Sequence, residues 1–242
     1  MANLLVEAGN TAVKAAWSEG TVLGKTFRYQ GERRLEFILT VTEKEKPEVL
    51  TVACPTPLTE KEKEILSAEC SYLCILDGSH TGILLHYGFP EYLSYDRVAS
   101  LVAARHMFKG KACTIFDLGT TMKVDFISSE GRHEGGNITP GCLTRFKSLN
   151  RYSRNLPLCD TPAEVLPEGQ SIQSSIESGV VSGIMFEIEG YIRRRPGNTI
   201  IFTGGDAVYF AKKMNSSIFV VSNMVMMGLA IITHDYVKTN LN

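Results

Sequence analysis

Apolar and polar positions alternate in short runs at the start of the chain and regroup into longer blocks further on, so strands open the sequence and helices are interleaved later. Leu4 to Glu7 reads as a strand, Gly9-Asn10 as a tight turn and Ala12 to Trp17 as the returning strand, because Gly and Asn accept the positive φ that tight turns require. A third strand is expected over Val22 to Arg28 and a helix over Arg33 to Leu39. Val49 to Ala53 reads as a buried strand stopped by Pro55 and Pro57, and Leu73 to Leu76 as another. Between them, Thr59 with Glu62 forms a capping box that starts a helix running to about Ala68.

The same outline returns in the second half. Ala112 to Asp117 is a strand, Gly119 a turn and Met122 to Ser128 the returning strand, so Glu7-Ala8-Gly9-Asn10-Thr11 aligns with Asp117-Leu118-Gly119-Thr120-Thr121. This is an internal repeat of acid-x-Gly-polar-Thr. A helix-like stretch follows Pro140, then an irregular connector over Leu156 to Gly169. A long helix is expected from Ile172 to Arg194, where Ile176, Val180, Ile184, Ile188 and Ile192 recur at four-residue spacing. Its basic end, Arg193-Arg194-Arg195, reads as charge complementing the helix dipole. Thr199 to Phe202 and Phe219 to Val221 read as strands, Asp206 to Met214 and Val225 to Tyr236 as helices. The pattern predicts a duplicated α/β fold, an N-terminal half over 1–110 and a C-terminal half over 111–242, with a ligand cleft between the two.

Composition narrows the classes of partner. A net charge of -1, from 25 basic and 26 acidic residues, offers no global field for nucleic acid or an anionic membrane. The N-terminus has neither the basic nor the apolar region of a signal peptide, and the apolar run Met224 to Thr233 falls short of the roughly 20 residues that span a bilayer. Cys54, Cys70, Cys74, Cys113, Cys142 and Cys159 lack Cys-x-x-Cys spacing and several lie in apolar runs, which fits reduced thiols in a cytoplasmic protein and argues against zinc. His80, His86, His106, His133 and His234 show no metal-ligand spacing either.

Paired hairpins of this kind suit a nucleotide. A turn glycine lets the backbone approach a ligand, N–H groups with Thr or Asn side chains reach phosphate oxygens, and the carboxylate holds a cation. One such pentapeptide is more often an ordinary turn; two form a phosphate clamp. Thr203-Gly204-Gly205-Asp206-Ala207, between a strand and a helix, bares the backbone for a ring or ribose and offers the free N–H groups of a helix start, although alone it is as readily a plain turn.

Taken in order along the chain, the motifs resemble those of the type III pantothenate kinases. The matching set is Gly9-Asn10-Thr11, Tyr87-Gly88-Phe89-Pro90 with Tyr95-Asp96-Arg97, Asp117-Leu118-Gly119-Thr120, Gly135-Gly136-Asn137-Ile138-Thr139-Pro140-Gly141, Ser178-Gly179-Val180-Val181-Ser182-Gly183 and Thr203-Gly204-Gly205-Asp206. The resemblance implies an actin-like ATPase (ribonuclease H-like) fold and transfer of the ATP γ-phosphoryl group to the hydroxyl of pantothenate, the first step of coenzyme A biosynthesis. It implies Mg²⁺, a monovalent cation (K⁺ or NH₄⁺), and a homodimer in the cytoplasm that binds neither nucleic acid nor membrane. Carried onto this sequence, Asp96 is the general base. Tyr87, Ser94, Tyr95, Asp96 and Arg97 lie against pantothenate, and Ile172 stands where the family has a substrate-contacting Thr. Glu7, Ala8, Gly9, Asn10, Thr11, Ala12, Val13 and Lys14, with Thr120, face ATP, and Asp117 holds the monovalent cation. An Asp–Arg pair suits this chemistry, since the carboxylate can take a hydroxyl proton and the guanidinium can bind a carboxylate bidentately. Asp125 is a candidate supporting carboxylate.

The chain departs from the family pattern at four places. Glu7 replaces an Asp and its extra methylene is expected to move or displace a metal-bound water; Ser94 replaces a glycine; Lys123 brings an ammonium that occupies or competes for the cation site; Ile172 removes a substrate hydrogen bond. These departures motivate two alternatives: a non-catalytic regulatory or accessory protein on the same fold, and an actin-like kinase for another small metabolite.

Overall fold

The computed structural model describes residues 2–9, 11–77 and 85–240. They form two compact units, one of residues 1–109 and 223–242 and the other of 110–222. In the first unit, β1 (Ala2–Ala8), β2 (Val13–Glu19), β3 (Val22–Tyr29), β4 (Val49–Ala53) and β5 (Tyr72–Leu76) make one sheet in the order β3-β2-β1-β4-β5. Strands β1, β2 and β3 pair antiparallel, while β1–β4 and β4–β5 pair parallel. Helix α1 (Arg34–Thr42) joins β3 to β4, and α2 (Glu60–Ser67) joins β4 to β5. The expected capping box is present: Thr59 accepts from the Glu62 N–H, and the Glu62 carboxylate accepts from the Thr59 N–H at 2.8 Å.

Burial follows strand position. Every residue of β4 is buried, as a central parallel strand covered on both faces requires. Leu4, Val6 and Ala8 of β1 pack with Ile38 and Leu66 from α1 and α2 on one face. On the other face, the Thr51 hydroxyl of β4 bonds the Thr233 hydroxyl at 2.7 Å, bringing in the last helix, α7 (Met224–Asn240). That helix lies against α3 (Tyr95–Met107), where a Cβ on Gly228 would overlap the Ala99 carbonyl, so only glycine permits this approach. Halves drawn along the chain at 1–110 and 111–242 therefore differ from the compact units in one element, α7, which rejoins the first unit.

The second unit repeats the first. Strands β6 (Cys113–Leu118), β7 (Thr121–Ile127), β8 (His133–Pro140), β9 (Thr199–Thr203) and β10 (Ile218–Val220) take the order β8-β7-β6-β9-β10, with the same parallel and antiparallel pairings. Helices α4 (Cys142–Tyr152) and α5 (Ile172–Arg194) lie between β8 and β9, and the short α6 (Ala207–Ala211) follows β9. Ile176, Val180, Ile184 and Ile188 of α5 pack with Phe116, Phe146 and Phe202 in the core. One strand was not expected: the glycine-rich stretch before Pro140 is β8, paired to β7 through a register shift, with Gly135 at φ +104. Helix α3 also lay outside the elements read from the sequence. All six thiols are free, and burial raises each, Cys54, Cys74 and Cys113 to about 11, so they act as protonated apolar groups.

Candidate functional site

In the second unit the site gathers around the β6–β7 turn. Gly119 N–H bonds the Thr121 carbonyl at 3.2 Å, closing the turn. Three neighbouring segments then fix it. Gly141 N–H and the Thr144 hydroxyl, from the start of α4, both donate to the Thr120 carbonyl, at 3.0 and 2.6 Å. Asp206 N–H, at the start of α6, donates to the Leu118 carbonyl at 2.9 Å. This packing requires glycine twice. A Cβ on Gly141 would overlap the Gly119 carbonyl, and one on Gly204, itself at φ +92, would overlap the Leu118 carbonyl and reach 2.7 Å from Asp117 Oδ1. Burial raises the Asp206 carboxyl above its ordinary value.

Asp117 stands directly across the ladder from Lys123, and Lys123 Nζ lies 3.3 Å from its Oδ2. The carboxylate thus has a counter-charge supplied by the chain. This ammonium stands where a monovalent cation held by Asp117 would have to approach Oδ2. Asp125, on the same strand face, pairs with buried His133 at 2.8 Å.

The first unit carries the matching hairpin. Gly9 N–H bonds the Ala12 carbonyl at 3.0 Å, and Glu7 sits across the ladder from Lys14, with Nζ 3.1 Å from Oε2. Ala8, Thr11 and Val13 continue this turn; Asn10 lies outside the described residues, as does His80. The repeat is therefore longer than acid-x-Gly-polar-Thr: each hairpin adds a lysine opposite its acid.

The remaining candidates of this unit cluster at the start of α3. Asp96 occupies the first turn, where its Oδ1 accepts from Arg97 N–H at 2.9 Å and from the Ser94 hydroxyl, which orients the carboxylate. Tyr95 and Arg97 are buried, and the Arg97 guanidinium lies over the Tyr92 ring at 5.8 Å. Tyr87 donates its hydroxyl to Asp235 of α7 at 2.9 Å, and burial together with that carboxylate pushes the phenol well above its ordinary range. Arg105 donates to the Tyr87 carbonyl at 2.7 Å and stacks on Phe89 at 3.8 Å, pinning the segment ahead of α3.

Ile172 belongs to the other unit. It is the first residue of α5, 62% exposed, and with Pro140, Leu149, Leu156, Ile176 and Val180 it lines an apolar cavity of about 690 Å³ between α4 and α5. Sequence reasoning missed Asp235 and Thr144, whose places depend on long-range packing, and it named Gly141, Lys14 and Lys123 without the contacts that the ladder and the start of α4 give them.

Two sheets with the same strand order, each opening on an acid–glycine hairpin, define an actin-like ATPase fold. Solved structures agree. A Campylobacter jejuni protein described as a Baf family transcriptional activator has a TM-score of 0.64 at 21% identity, covering 97% of this chain and 99% of that one. The activator of 2-hydroxyisocaproyl-CoA dehydratase from Clostridium difficile, with bound ADPNP, has a TM-score of 0.58 at 14% identity, covering 100% and 97%. The family model of the type III pantothenate kinases matches residues 3–194. A type III pantothenate kinase of Bacteroides fragilis is 34% identical over 233 residues, 94% of this chain and 95% of that protein. The chain belongs to the type III pantothenate kinase family.

Proposed function

We propose that the protein transfers the γ-phosphoryl group of ATP to the hydroxyl of pantothenate, with Asp96 as the base that accepts the hydroxyl proton, and so opens coenzyme A biosynthesis. Family membership supports the substrates, and the single observation that carries the assignment of the base is the oriented Asp96 carboxylate at the start of α3, beside Arg97. Phosphoryl transfer asks a protein chiefly to position the reactants and to balance charge. In this reading Arg97 binds the pantothenate carboxylate, and the Tyr87 hydroxyl, committed as a donor to Asp235, presents its lone pairs to substrate donors. Lys14 and the Thr120 hydroxyl are the groups this reading assigns to phosphate oxygens. Among the described residues no group of three or more His, Cys, Asp or Glu is placed to hold a metal. Mg²⁺ belongs to this reading as an ion brought in on the nucleotide, commonly held by phosphates with one or two carboxylates, and it would supply neutralisation of phosphate charge.

A homodimer belongs to the same reading. Helix α5 exposes the apolar side chains of Ile172, at 62%, and Phe186, at 66%, which a partner surface could cover. A cytoplasmic location accords with the buried free thiols. No helix among the described residues is long and apolar enough to cross a membrane.

The test is direct. Purified protein with ATP, Mg²⁺ and pantothenate should yield phosphopantothenate by mass spectrometry, and Asp96→Asn should slow its formation by about 10²–10⁴-fold while still binding ATP. ATP binding by the unmodified protein without turnover would instead favour the accessory role.

A further inference from the structure

Asp117 is the penultimate residue of β6, at the turn of the second hairpin. A Cβ built on Gly204 would fall 2.7 Å from its Oδ1, and Lys123 Nζ lies 3.3 Å from its Oδ2. Ladder register places Lys123 directly opposite Asp117, so the ammonium is delivered by the hairpin itself and not by a flexible surface contact. Both groups are largely covered, the lysine side chain 19% and the aspartate 24% exposed. In the first hairpin the corresponding Lys14 is 39% exposed, a more solvated partner for Glu7.

The geometry points to Lys123 as a tethered substitute for a free monovalent cation: its ammonium takes the place at Asp117 that K⁺ or NH₄⁺ would occupy, so phosphoryl transfer by this protein requires neither ion. The inference rests on the kinase reading above. A lysine ammonium is a compact single positive charge with three donors, so it leaves the local charge of the carboxylate site as a bound K⁺ would. Tethering makes its occupancy independent of the salt in solution, because an attached group acts at a high effective concentration. A second cation entering beside it would meet like-charge repulsion in a partly desolvated place.

Two measurements decide the matter. Initial rates of phosphopantothenate formation are compared in KCl, NH₄Cl and N-methylglucamine chloride at constant ionic strength, and Tl⁺, a K⁺ mimic, is titrated by thallium NMR. The unmodified protein should give rates that agree within about two-fold among the three salts and show no saturable Tl⁺ binding. Lys123→Met should gain saturable Tl⁺ binding and an activation by K⁺ of about ten-fold or more. The double variant Asp117→Asn/Lys123→Met should lose both. Activation of the unmodified protein by K⁺ of about ten-fold, or Tl⁺ binding that Asp117→Asn removes, would overturn the inference. If Lys123→Met does not fold, Lys123→Gln takes its place, and the unmodified protein alone still decides between the outcomes. Absence of turnover in every salt would sink the kinase reading, while the Tl⁺ titration would continue to test Lys123.

Discussion

The two hairpins share one ladder and one acid–lysine pair, yet they are held in different ways. The first closes a longer loop on its own Gly9 N–H. The second is shorter and is gripped by the starts of α4 and α6, with Gly141 and Gly204 packed on its carbonyls. The difference separates two demands on a repeated motif. A turn wedged between backbone segments presents fixed groups and meets any added atom with strain.

The largest contrast should come from reactivity against stability. Asp96→Asn in the first unit should lower kcat by about 10²–10⁴-fold, the usual contribution of a positioned base, with little change in the urea unfolding midpoint. In the second unit, Gly141→Ala should destabilise by about 3 kcal/mol or more in equilibrium urea unfolding, because the new Cβ would overlap the Gly119 carbonyl oxygen and fall 2.9 Å from that of Thr120, both backbone. Gly204→Ala should follow, with added strain from its positive φ. If Gly9→Ala costs as much as Gly141→Ala, the distinction between the turns fails; a Cβ there meets the Ala12 carbonyl at 3.2 Å, which predicts a cost of only about 1 kcal/mol.

Removing the Thr51 hydroxyl tests the first unit's other support. Thr51→Val should cost about 1–3 kcal/mol by calorimetry or urea unfolding, since Thr233 would be left buried opposite a methyl group. A smaller effect is expected at Asp206, whose raised carboxyl binds its proton more tightly folded than unfolded. Its contribution to stability is therefore fully present below the unfolded pKa and declines as pH rises through the folded value. Asp206→Asn should flatten that decline, seen as a gain in the urea midpoint at pH 7 that disappears at low pH. An unchanged pH profile would show that Asp206 is not the group responsible.

Much of the fold was legible because its signals are local. Strand alternation around Gly9 and Gly119, the Thr59–Glu62 capping box and the isoleucine spacing of α5 all lie within a turn or two of chain. Strand β8 was not, since Gly135-Gly136 carries little side-chain pattern and is extended only because β7 pairs with it. The Ser171–Ser174 capping box at the start of α5 escaped because serine at the third position is a weaker signal than Glu or Gln. Of the candidate site, Asp96, Arg97 and both hairpin acids were readable as motifs, whereas Asp235 beside Tyr87 was not, being 148 positions away.

The sequence by itself determined the duplication: period-two alternation on either side of a glycine specifies a hairpin wherever it occurs, and it occurs twice with an acid at the same place. Only the tertiary structure decided what those hairpins became. Apolar residues around α7 suit a buried helix in either unit, and the choice of the first rests on the close approach of Gly228 to Ala99 and on the Thr51–Thr233 bond. Likewise Asp117 and Lys123 are six positions apart, and it is ladder register, closed by a turn that other segments hold, that turns two charges in the chain into one neutral pair.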